Sequence, residues 1–107
     1  MVLSSYDYTV YDSLGEVEDI SKLVKTEDIR DVGKILLDFN YEQDVSIAIA
    51  HRHFDLKASE VMLETHSDDC RIAKPVDYIS LSSAEDVYPN DIACNKDGIW
   101  HPVGYGT

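Results

Sequence analysis

Apolar and polar positions alternate over residues 6–11, YDYTVY, with Tyr6, Tyr8 and Val10 on one side and Asp7, Thr9 and Tyr11 on the other. A strand is expected there. Ser13-Leu14-Gly15-Glu16 has the spacing of a capping box, so a short helix is expected to about Val24. A longer helical period follows. At about 100° per residue, Ile29, Val32, Ile35, Leu36 and Phe39 fall inside an arc of about 120°, with Arg30, Asp31, Lys34 and Asp38 outside it. Thr26 precedes this run as a cap, and Glu27 and Asp28 suit the positive helix end. The period predicts a helix over 27–39.

Alternation returns at 45–54, VSIAIAHRHF. Val45, Ile47, Ile49, His51 and His53 point one way, and the small residues Ser46, Ala48 and Ala50 point the other. Residues 60–66 alternate again, and the two runs are expected to pair as an antiparallel hairpin. Ser67-Asp68-Asp69 reads as a turn and residues 70–74 as a third strand that Pro75 stops. Ser82 and Glu85 suggest a helical turn before Pro89. Asn95-Lys96-Asp97-Gly98 marks a turn, and residues 99–103 a last strand in which Pro102 demands an edge or the end of pairing. The pattern as a whole predicts an α+β fold: an antiparallel sheet of four or five strands, with the 27–39 helix packing its stripe on the face of Val45, Ile47 and Ile49.

A chain of 107 residues is one compact domain's worth. Charge narrows the functional classes. There are 21 acidic and 9 basic residues, a net of -12, spread along the whole chain. Such a surface repels phosphates, which argues against nucleic-acid partners and against anionic membrane. It suits solubility or a basic protein partner. No secretory pattern and no span-length apolar run is visible, which suggests the cytoplasm. Cys70 and Cys94 are too few for a disulfide scaffold and are expected as free thiols.

His51-Arg52-His53-Phe54-Asp55 is the chemical feature of the sequence. On a regular strand, His51, His53 and Asp55 project from one face about 6.5–7 Å apart. Two imidazoles at that spacing and a carboxylate are the parts of a divalent metal site, with His66 and His101 as further ligands. Without metal, His51 or His53 is a candidate general acid or base, with Arg52 and Asp55 binding substrate. The structural alternative places the histidines at the rim of a core and pairs Arg52 with an acid. The spacing to Glu60 does not match the cupin pattern, and neither phosphate loops nor a nucleophile elbow occurs.

The stretch IAIAHRHFDLKASEVMLET, with the helix before it, resembles a segment of small fungal proteins of uncharacterised function, over about residues 27–66. The resemblance implies a eukaryotic, cytoplasmic protein and no particular activity. The leading expectation is a small acidic binding module for a protein or small-molecule ligand, without catalysis or a cofactor of its own. The alternatives are a histidine-centred enzyme, with or without a divalent metal, and an acidic inhibitor or nucleic-acid mimic that covers a basic protein surface.

Overall fold

The structure, a computed structural model, describes residues 3–15, 22, 24–52, 54–81 and 83–107. It divides into two compact units: Met1–Leu14 with Arg52–Thr107, and Gly15–His51. The first is a sheet unit and the second a helical one. The class is α+β, as the patterning predicts.

The sheet unit begins with α1, Tyr8–Asp12, where alternation predicts a strand. Local capping decides otherwise. Asp7 Oδ1 accepts hydrogen bonds from Thr9 N at 2.9 Å and Thr9 Oγ1 at 2.6 Å, and Ser13 Oγ donates to the Val10 carbonyl at 2.7 Å. Five residues capped at both ends are stable as a helical turn, where a strand needs a neighbour. The same bonds hold the Asp7 carboxyl below its usual range.

Four strands follow: β1 (Glu60–Ser67), β2 (Cys70–Asp77), β3 (Tyr88–Cys94) and β4 (Trp100–Gly106), with a helical turn, α3, at Tyr78–Leu81. Their spatial order is β2-β1-β4-β3. β1 and β2 form an antiparallel hairpin whose turn is Asp68-Asp69, with Asp68 left-handed at φ 51°. So β1 pairs with β2 and not with residues 45–54. β2 also runs through Pro75 instead of stopping there. An edge position tolerates this, because among the described residues one side of β2 has no neighbouring strand.

β3 pairs antiparallel with β4 through two register shifts around Asp91, and β4 pairs parallel with β1 only over Gly104–Gly106 against Met62–Glu64. β4 is therefore interior at its end but not at its start. Pro102 lies before that parallel stretch, which is how a proline fits a strand with two neighbours. The Asn95–Gly98 turn forms as predicted. Asn95 Oδ1 accepts from Asp97 N and Ile99 N at 2.9 and 3.0 Å, and Gly98 takes φ 81°, a region open to glycine. No helix follows Ser82 among the described residues; the helical turn α3 at Tyr78–Leu81 ends before it, and Ser82 itself lies outside the described residues. Val61 is fully buried, and Val10, Tyr11, Leu56, Met62, Ala93 and Val103 form the core cluster.

In the helical unit, α2 spans Thr26–Asp38. Its N-cap is Lys25, and Thr26 is the first helical residue. Its end is a Schellman motif. Asn40 is left-handed at φ 60°, its N–H reaches the Leu37 carbonyl at 3.1 Å, and Tyr41 N–H reaches Leu36 at 2.8 Å. Two expectations fail here. Residues 45–52 form no strand. The stripe of α2 is not buried: no residue of the helix is, and Ile35 and Phe39 are 53% and 64% exposed. The helix expected up to Val24 falls largely outside the described residues.

Candidate functional site

The metal and acid–base expectations both rest on a strand that would align His51, His53 and Asp55. No strand runs through the described residues 45–52 or 54–57, so alternation does not align them. The run 45–54 has strand periodicity, but β1, the partner expected for it, is flanked by β2 and β4. His51 closes the helical unit, with Nδ1 2.7 Å from the Ile49 carbonyl, to which Nδ1–H donates. His53 lies outside the described residues.

Arg52 and Asp55 belong to the sheet unit. Arg52 Nη1 is 3.5 Å from Asp12 and 3.7 Å from Asp55, whose side chain is 99% exposed. Arg52 Nε is buried with no hydrogen-bond partner among the described residues. The expected pairing of Arg52 with acids is therefore present, and it ties α1 to the segment after it. Pairs this exposed contribute about 0–1 kcal/mol each.

His66 and His101 cannot join one metal. Their strands are neighbours but parallel, and Met62 pairs with Gly104. His66 is near the end of β1 and His101 near the start of β4, about seven residues apart along the strands, or roughly 20 Å. His66 is exposed. His101 is buried, and its ring is fully used. Both lone-pair directions of Asn95 Oδ1 are taken by backbone N–H groups, which fixes the Asn95 Nδ2 as donor to His101 Nε2 at 3.1 Å. The proton then sits on Nδ1 and is donated to the Ser5 carbonyl at 2.8 Å. This histidine fastens the N-terminal segment to β4, beside the Ser4 N–H to Trp100 carbonyl bond of 3.0 Å. Among the described residues, no group of three or more His, Cys, Asp or Glu side chains is placed to hold a metal ion.

Three tyrosines of the N-terminal segment form a latch. Tyr11 Oη–H donates to the Phe54 carbonyl at 2.9 Å and accepts from Phe54 N–H at 3.3 Å. Tyr8 reaches the Leu56 carbonyl at 2.8 Å, and Tyr6 the Glu60 carbonyl at 2.7 Å. Three hydroxyls from the N-terminal segment thus satisfy the backbone of the stretch leading into β1. Tyr78 packs against Tyr6 and Tyr105 with ring centroids 5.1 and 6.3 Å apart and the rings tilted by 43° and 45°. Burial pushes Tyr105 up to about 12 and raises Tyr6 as well; Tyr8 is raised by desolvation and by the charge of Asp12. These groups hold structure and are not poised for proton transfer near neutral pH.

A depression on the sheet was not legible beforehand. Gly104 and Gly106 leave room for Asp91 and Asn90: a Cβ at Gly106 would lie 2.6 Å from Asn90 Nδ2, and one at Gly104 3.2 Å from Asp91 Oδ2. Met62, Glu64 and Ala73 complete it. It is open to solvent and too small to enclose a small-molecule ligand. Cys70 and Cys94 are both exposed free thiols, as expected. Among the described residues, no helix is long and apolar enough to cross a membrane.

α2 carries exposed apolar side chains, four of them on the predicted stripe and Leu37 outside it. Ile29, Val32, Ile35, Leu37 and Phe39 are all exposed, followed by Tyr41, Val45 and Ile47. The periodicity of the stripe was legible; its exposure was not, because burial depends on a partner surface. No family model, no curated protein and no solved structure matches this chain.

Proposed function

We propose that this protein is a small acidic interaction module of the cytoplasm, without a catalytic cycle of its own, whose working surface is the apolar stripe of α2. The observation that carries the reading is the exposure of Ile29, Val32, Ile35 and Phe39 on one helical face. Contiguous exposed apolar side chains of this size mark a surface that meets another molecule. A 13-residue helix is marginal alone in water, so α2 gains most from being covered. The use of His101 as a structural fastener supports the reading against a histidine-centred enzyme.

The test separates surface from core. Ile35→Ser and Phe39→Ser should each change unfolding free energy by no more than about 0.5 kcal/mol, while lowering the fluorescence of a bound apolar dye. A cost of about 2–5 kcal/mol, as for truncating a buried side chain, would assign the stripe to a core and end the proposal.

A further inference from the structure

We infer that the partner of the α2 stripe is a basic amphipathic helix of another protein, an inference that rests on the interaction reading above and adds the chemistry of the occupant. The charges around the stripe carry it. At about 100° per residue, Asp28 falls within the arc formed by Ile29, Val32, Ile35, Leu36 and Phe39, close to its Ile35 edge, and Asp31 lies about 40° beyond that edge, whereas Arg30 and Lys34 lie on the opposite side. All four charged residues are exposed, and the only ion pair recorded among them is Lys34 with Asp31 at 3.9 Å, on open surface. Beyond the helix, exposed Glu42 and Asp44 follow the stacked rings of Phe39 and Tyr41, which are 6.0 Å apart. Over residues 15–51 the sequence holds nine acids and four bases.

An apolar stripe with carboxylates along its Ile35 edge is complementary to an apolar stripe that carries lysine or arginine along the facing edge. Helix-on-helix recognition uses anchors at i, i+3, i+4 and i+7, the spacing of Val32, Ile35, Leu36 and Phe39, with Ile29 one turn before them. Gly33, next to the stripe, has nothing within 4 Å of where a Cβ would stand, so a second backbone can come close there. A second copy of this chain is the worse occupant, because it would bring carboxylate margins against each other. A nucleic acid or an anionic membrane is repelled outright.

The experiment uses the full-length chain and a labelled 18-residue peptide of leucine and lysine with leucines at heptad spacing. A second peptide carries glutamine at each lysine. Fluorescence anisotropy should show the lysine peptide bound, with affinity falling about tenfold or more between low salt and about 0.5 M salt. Ile35→Asp should abolish binding. Asp28→Lys with Asp31→Lys should weaken it about tenfold, whereas Glu85→Lys with Asp86→Lys, on the sheet unit, should leave it unchanged. Equal binding of the glutamine peptide, insensitive to salt, would overturn the basic partner and leave the interaction surface standing. Weakening by the Glu85 and Asp86 pair as strong as by the Asp28 and Asp31 pair would overturn it too, as attraction to net charge alone. If neither peptide binds and Ile35→Ser destabilises the fold, the interaction reading itself fails. Sedimentation that finds a dimer which Ile35→Asp dissociates would make a second copy the occupant and overturn the inference.

Discussion

Val61 in β1 is fully enclosed, whereas Phe39 at the end of α2 leaves 64% of its surface to solvent. Both are apolar residues in regular elements with clear periodicity, so hydrophobicity alone does not separate them. The difference lies in what surrounds each element. β1 has a strand on either side, and the segment before it is held by the hydroxyls of Tyr6, Tyr8 and Tyr11. Among the described residues, α2 lies in a unit with one long helix and a run at 45–51 without a strand, and no residue of the helix is buried. The sheet unit therefore spends its apolar residues on its own stability, and the helical unit keeps its stripe available.

The largest effect should follow from emptying the sheet core. Met62→Ala should cost about 2–5 kcal/mol in chemical unfolding, against about 0.5 or less for Ile35→Ser. Loss of the contrast would place both residues in one core. His101→Leu comes next. It keeps apolar volume but strands the Ser5 carbonyl and the Asn95 amide, at about 2–4 kcal/mol. If the variant melts like the wild type, the N-terminal segment is not fastened by this ring.

A smaller effect is set by pH. Tyr105 and Tyr6 ionise less readily when folded than their ordinary value of 10.0 allows. Because the folded values are raised, the sheet unit's stability is intact below pH about 10 and falls as pH rises from there toward about 12 and beyond. Tyr105→Phe should flatten that fall in a pH series of melting temperatures. An unchanged slope would mean that the packed rings do not drive it.

The contrast also explains what could be read beforehand. α2, β1 and the Asn95–Gly98 turn were legible because each is dictated by local chemistry: a 3.6-residue period, alternation, and an Asn side chain bonding its own backbone. The free thiols followed from cysteine count. Residues 6–11 were misread because six alternating positions fit both a strand and a capped helical turn, and Asp7 and Ser13 chose the latter. Residues 45–54 were misread because alternation shows that a strand is affordable without showing that a neighbour exists. β3 was missed because Pro89, Asn90 and Asp91 look like turn residues, yet a bulge against the glycines of β4 accommodates them. The parallel pairing of β1 with β4 is remote in sequence and carries no local signature. The candidate site suffered most from this. His51, His53 and Asp55 were linked by periodicity alone, while His101 owes its role to Ser5 and Asn95, which no spacing rule connects.

Hydrogen exchange on the full-length chain, with and without the leucine–lysine peptide, tests the contrast most directly. Amides of β1 and the end of β4 should exchange slowest in both samples, while those of α2 exchange quickly alone and at least tenfold more slowly once the peptide is bound. Protection of α2 in the free protein equal to that of β1, unchanged by peptide, would contradict the account.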